Sequence, residues 1–417
     1  MRIAPATRMI ARRGHKRARG MLERKTLVFL LAAAFMVMSA LPSACVPYLP
    51  ADDAQPLEQL PISGNRDLRE LRALHAELTK HPDDLAFAVK AATKDIEAAR
   101  SMSDPRFNGY AEAAIEPWLW RPNPPIEVRL LRAILRQAIH NFGAALDDLN
   151  AIISLDPRNL QARLTRAIIL EVEGHYAESL KACLSLAILA DPVITTTCAA
   201  SANSLQGQAK ASHAVLLATL SGAPHDEDPQ LLLWALTVLA EIEWRIGDGA
   251  AEEHFRQALR IGPHDAYLLG AYADFLLDSG RPGEVRSLLQ GELLRIDPLL
   301  LRLTLAEKML GSPELEAHVA QLRERFSVNK LRGDRSHQRE EARFTLHLLN
   351  DAEEALRIAE ENFTVQREPM DGRILLESAL AAKRPAAAQP VLDWLEGSGL
   401  EDSQLQKLAS EMERAAR

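Results

Sequence analysis

After residue 67 the apolar residues recur at three- and four-residue spacing, and short polar breaks cut the pattern into helix-length pieces. Leu68, Leu71, Leu74 and Leu78 form the first such stripe, with Asp67 placed to cap it. Between Ile126 and Pro192 the pattern becomes periodic. Ile126–Asn159 closes with Leu155-Asp156-Pro157-Arg158-Asn159, and the copy opening at Leu160 closes near Asp191-Pro192. Ala133 then matches Ala167, Phe142 matches Tyr176, Ala145 matches Ser179, and Pro157 matches Pro192 with one residue of slippage. The period is about 34 residues. In the second copy small Ala167 precedes Ile168, Ile169 and Leu170, Gly174-His175-Tyr176 makes a turn, and a second helix runs from Ala177 to Ala190. Proline disfavours helix at the residue before it and lacks the amide hydrogen, so Asp191-Pro192 is expected to end that helix. Strand-like β-branched runs are confined to Ile194-Thr195-Thr196-Thr197, too short to seed a sheet.

The Gly-x-Tyr turn, the small residue on the first helix and the Asp-Pro boundaries resemble the tetratricopeptide repeat family. The resemblance is clearest at 126–192 and 229–298. It implies an all-α fold: an α-solenoid of antiparallel helix pairs winding into a right-handed superhelix. Residues 67–125 are expected to form N-terminal helix pairs, 126–400 the repeats, and 401–417 a polar capping helix at the open end. Further copies fall at 229–263 (Trp234, Leu236, Leu239, Gly247, Phe255), 264–298 (Tyr272, Leu276, Gly280, Leu288), 299–326, 339–362 and 371–395. A degenerate copy has a short first helix at 197–204 and a second at 206–221. Trp118, Trp120 and the prolines from Pro117 to Pro125 read as a packed joint or a ligand ledge, and Asn329–His337 as a connector, hinge or contact loop.

In such arrays the first helices of successive repeats line a concave groove. By helical phase Gln137, Gln161, Glu171, Glu243, Trp244, Tyr267, Asp274 and Asp278 face it, with burial between repeats the competing fate for Trp244 and Tyr267. This set is acidic and lacks rows of basic residues and Asn that would grip a C-terminal carboxylate, so it favours a basic or neutral peptide.

Residues 1–44 read as a targeting segment: a basic region, then an apolar run from Thr26 to Leu41, then Ser43-Ala44 before Cys45. Met21 is an alternative start that gives a compact signal. Leu41-Pro42-Ser43-Ala44-Cys45 resembles the lipobox of bacterial lipoproteins, with Leu41 one place early, so Cys45 is a candidate for lipidation. Cleavage near Ala44 to release a soluble periplasmic protein and an uncleaved membrane anchor are the alternatives. Residues 45–66 are proline-rich and read as a flexible tether.

Composition narrows the function classes. Of the 417 residues, 47% are hydrophobic but only 5% aromatic, so alanine and leucine carry the core, as stacked helices allow. The net charge is −8, yet residues 1–44 hold nine Lys/Arg and one acidic residue, which leaves 45–417 at −16. An acidic body argues against a nucleic-acid partner. Of the three cysteines, Cys183 and Cys198 sit on consecutive helices. They either pair outside the cytoplasm or stay reduced as small core residues. His337 and Glu341 share a helical face, with His347 nearby, but a third firmly held ligand is lacking and no metal is expected. No phosphate loop, His-Glu-x-x-His or Gly-x-Ser-x-Gly motif occurs. The expectation is therefore an exported, periplasmic or lipid-anchored scaffold or assembly factor. It would be a monomer or weak dimer without cofactor, holding a protein or peptide of the cell envelope. A hydrolase with an unrecognised site and an intracellular scaffold are the rival readings.

Overall fold

A computed structural model describes residues 66–415 except 103 and 225. The targeting segment, Cys45 and the tether lie outside the described residues, which belong to the unit Gly64–Arg417. Every regular element among them is helical. A leading helix α1 (Arg66–Lys80) is followed by nine antiparallel pairs: α2 (Leu85–Met102) with α3 (Arg106–Leu119), α4 (Ile126–Ala138) with α5 (Phe142–Leu155), and α6 (Leu160–Val172) with α7 (Tyr176–Leu184). Next come α8 (Pro192–Ser204) with α9 (Ala209–Ser221), α10 (Pro229–Ile246) with α11 (Ala251–Ile261), and α12 (Ala266–Asp278) with α13 (Pro282–Leu288). The last are α14 (Asp297–Leu310) with α15 (Leu315–Leu331), α16 (Gln338–His347) with α17 (Ala352–Phe363), and α18 (Pro369–Ala381) with α19 (Gln389–Ser398); α20 (Ser403–Ala415) ends the array. From α2 to α20 each even-numbered helix packs on the next even-numbered one. The chain is thus an α-solenoid whose even helices form one continuous wall.

Positions that match in sequence match in burial. Ala133, Ala145, Ala167 and Ser179 are fully enclosed, and Phe142 and Tyr176 are 5% exposed. Small residues there let the two helices of a pair approach closely. Gly174 turns the chain with φ +83°, and at the equivalent place in the preceding repeat His140 adopts the same left-handed conformation with φ +58°. Trp118 is buried in the joint between α3 and α4, while Trp120 stays 68% exposed.

At 191–192 and 228–229 the Asp-Pro pair acts at the start of a helix, whereas Asp156 closes α5. Asp191 accepts from the Val193 amide and Pro192 is the first residue of α8; Asp228 and Pro229 open α10 in the same way. Proline loses nothing there, because its amide would be unpaired anyway. The first helix of the degenerate copy therefore starts at Pro192 and not near 197. Its predecessor α7 stops at Leu184, well short of Ala190, where Ser185 Oγ bonds back to the Ala182 carbonyl at 2.6 Å.

The superhelix meets itself. Helix α20 packs against α10, half the array away. One core cluster joins Tyr176 and Leu205 to residues of α16–α20. Backbone groups left open at helix ends are satisfied across this seam. The Arg367 amide donates to the Val172 carbonyl at the end of α6 at 2.8 Å. Glu401 Oε2 accepts from the Ala209 amide at 2.8 Å, capping α9, whose own Gln208 does not. Gly207 and Gly399 touch backbone to backbone: a Cβ on Gly207 would lie 2.8 Å from the Gly399 carbonyl oxygen.

Candidate functional site: a charged cavity on the inner wall

The wall of even helices carries two adjoining hollows. The central one, of about 110 Å³, lies between α6, α8, α10 and α12 on one side and α16, α18 and α20 on the other. The second, of about 280 Å³, lies between α12, α14, α16 and α18 and shares Met370 and Arg373 with the first. The open trough expected along the array is thus faced at its centre by the chain's own C-terminal repeats.

Glu171 lies in the last turn of α6 and Glu241 sits late on α10, and both line the central cavity. Ser201 Oγ donates to Glu171 at 2.6 Å and Tyr267 Oη donates to Glu241 at 2.8 Å. Burial pushes each carboxyl up to about 7, against the lowering effect of these hydrogen bonds and of Arg245. Tyr267 is 63% exposed. Its side chain is among those lining the cavity, and the Glu241 charge together with burial drives its hydroxyl well up. Trp244 supplies a second aromatic wall and meets Phe275 edge-on. Arg245 Nη2 donates to Ser204 at 2.6 Å, and its buried Nε has no hydrogen-bond partner.

The C-terminal side is charged but already paired. Arg339 bonds Asp371 at 2.6 Å and also Glu368. Arg373 is held by Asp278 at 2.7 Å and by Glu377 at 2.8 Å. His347 reaches the other oxygen of Glu377 at 2.9 Å. Burial works to raise Glu377, but His347 and Arg373 outweigh it and bring the carboxyl down to about 2. Asp402 accepts from the Leu405 and Gln404 amides and caps α20; burial still raises it.

The groove candidates separate into three groups. Glu171, Trp244 and Tyr267 line the central cavity, and Asp278 lines the second hollow in its pair with Arg373. Gln137 is half-buried on α4, and Gln161 is exposed at the start of α6, bonding Thr165 at 3.2 Å. Glu243 and Asp274 are in the packed interior. Glu243, 0% exposed, accepts from His213 at 2.9 Å and His254 at 2.7 Å, which tie α9 and α11 to α10. Asp274, 3% exposed, sits between Arg302 at 2.6 Å and Arg343 at 2.9 Å. Sequence reasoning missed Glu241 and Arg245. They stand with Trp244 on one face of α10 at i, i+3 and i+4, a spacing that could have found them. Glu368, Arg339 and Asp402 come from repeats too far along the chain to be linked to α6 by any local signal.

Cys183 and Cys198 form a disulfide between α7 and α8, with Cα atoms 5.4 Å apart. Of the metal candidates, His347 bonds Glu377, and no group of three His, Cys, Asp or Glu side chains among the described residues is placed to hold a metal ion. No helix among the described residues is long and apolar enough to cross a membrane.

No family model matches the chain, and no curated protein matches it. Among solved structures, the human IFIT1 dimer with m7Gppp-AAAA aligns at 12% identity over 84% of this chain and 86% of that one, with a TM-score of 0.40. The APC/C hetero-tetramer Cut9-Hcn1 aligns at 13% identity over 84% and 81%, with a TM-score of 0.29. Yeast Tom70 aligns at 9% identity over 84% and 96%, with a TM-score of 0.24. These are distant likenesses, and they carry no argument about function.

Proposed function

We propose that this chain is an exported scaffold of the bacterial cell envelope that holds a partner protein or peptide on the inner wall of its solenoid and does no chemistry on it. The observation that carries the reading is the second hollow. Leu277, Leu305, Met309 and Ile374 give it apolar lining, and Asp278, Lys308, Arg343 and Glu377 add charged groups. A hollow lined by both apolar and charged side chains suits an extended segment whose side chains drop in while its backbone stays polar. Seven of the described histidines pair with Asp or Glu: His75, His81, His175, His213, His254, His318 and His347. Export rests on the leader pattern of residues 1–44, and the Cys183–Cys198 pairing suits an oxidising compartment. Cys45 then anchors the protein by lipid, or cleavage near Ala44 releases it.

The test is site-specific crosslinking in cells. A photo-crosslinking residue at Met309, 54% exposed in the hollow, is compared with one at Ile188, 89% exposed and outside it. The expected result is a discrete adduct from position 309 and none from 188. Adducts from 188 alone, or a C-terminally tagged chain recovered wholly in the cytoplasmic fraction, overturn the proposal. Light scattering on the purified body is expected to show a monomer or weak dimer.

A further inference from the structure

We infer that the central cavity is a binding site for a single organic cation, an ammonium or guanidinium group, held between Glu171 and Glu241 with the rings of Trp244 and Tyr267 beside it. The inference rests on the reading of the inner wall as the binding surface and deepens it by naming the group recognised. Three observations carry it. The first is supply of acceptors. Glu171 and Glu241 each hold one hydroxyl donor, from Ser201 and Tyr267, and a carboxylate accepts several. The second is charge balance. Arg339 and Arg373 are each clasped by two carboxylates, and Asp402 is engaged with the start of α20. Glu368 is taken by Arg339 and opens α18 in a capping box with Asp371. That leaves Glu171, Glu241 and Arg245, a set that carries one net negative charge when both carboxyls are ionised. The third is the aromatic pair. An indole and a phenol face beside carboxylates attract a cation through the ring quadrupole. At about 110 Å³ the cavity has room for a small charged head group.

Two sources share this chemistry: a free amine and the Lys or Arg side chain of a bound peptide. Both are tested by calorimetry on the intact body at pH 6 and pH 8, using agmatine as the free ligand and blocked Gly-Arg-Gly as the peptide. A cation binds the ionised carboxylates, and burial holds both near 7. Affinity is therefore expected to rise by about tenfold or more from pH 6 to pH 8. Glu241→Gln and Glu171→Gln keep the shape and are each expected to weaken binding by about tenfold or more at pH 8. Tyr267→Phe, which frees one Glu241 oxygen without removing charge, is expected to retain binding. Binding by agmatine assigns the site to a free cation; binding by the peptide alone assigns it to a partner's side chain. No binding by either, binding indifferent to both Gln substitutions, or equal binding of acetate overturns the inference. The Met309 adduct would survive such a failure, which separates it from failure of the docking role.

Discussion

Trp394 Nε1 donates to the Tyr176 hydroxyl at 3.0 Å, across 218 residues of chain. Tyr176 in turn donates to the Arg367 carbonyl. One phenol, placed under the turn of an early repeat by local packing, thereby fastens two segments of the last repeats. Tyr176→Phe would leave the Trp394 N–H and the Arg367 carbonyl unpaired at a part-buried seam. The expected loss is about 1–3 kcal/mol. Denaturant melts measure it, and hydrogen exchange should show the loss of protection concentrated in α18–α20.

The same seam gives a backbone prediction. Gly207→Ala places a methyl 2.8 Å from the Gly399 carbonyl and forces φ +72° on a residue that resists it. The substitution is expected to lower the midpoint of thermal unfolding, and Gly143→Ala, at a helical position with open space around it, is not.

Asp274 organises a second tie. Burial works to raise its carboxyl, but Arg302 and Arg343 outweigh that and bring it down to about 2. Asp274→Ala strands two buried guanidiniums and is expected to cost about 3–5 kcal/mol. Because the folded value is depressed, the contribution is complete above the unfolded value near 4 and fades as pH falls toward 2. The gap between wild type and variant should shrink over that window in acid titrations followed by circular dichroism.

Glu171 and Glu241 work with the opposite sign. Their folded values are raised to about 7, so between roughly pH 4.3 and 7 the folded state holds protons that the unfolded state has released. Stability contributed by these groups falls as pH rises through that window. Glu171→Gln and Glu241→Gln are expected to raise the melting temperature at pH 8 and to leave it nearly unchanged at pH 5. A loss of stability at pH 8 would show that the charged forms hold the cavity together.

The Cys183–Cys198 disulfide closes a short loop, with a sequence separation of 15. Removing it by Cys183→Ser with Cys198→Ser is expected to lower stability by about 3 kcal/mol, chiefly through the unfolded chain. Thiol titration of the denatured, unreduced body should find neither cysteine free.

Much of the repeat pattern was legible because it is local. A buried small residue at 133 and 167, an aromatic at 142 and 176, and a left-handed turn after the first helix each serve contacts within a pair or with the next pair. Spacing alone therefore records them. The boundary at 184–192 was misjudged because Asp-Pro serves equally to stop one helix and to begin another. What decided between them was the Asp191 side chain on the Val193 amide and the back-bonding of Ser185. The groove residues were half legible. Helical phase places a residue on a side of its helix, but Glu241 and Glu243 are only two apart, and neighbouring helices decide which meets the cavity.

The sequence by itself determined a stack of paired helices and an acidic body, since both follow from residue types and near-neighbour spacing. Only the tertiary structure decided that the stack curls until α20 reaches α10. That closure depends on the sum of small rotations at many interfaces, and on caps lent by Arg367 and Glu401 to helices near 172 and 209. No window of sequence contains both partners. The cavity exists because of that closure, and so does the burial that lifts Glu171 and Glu241 to neutral pH.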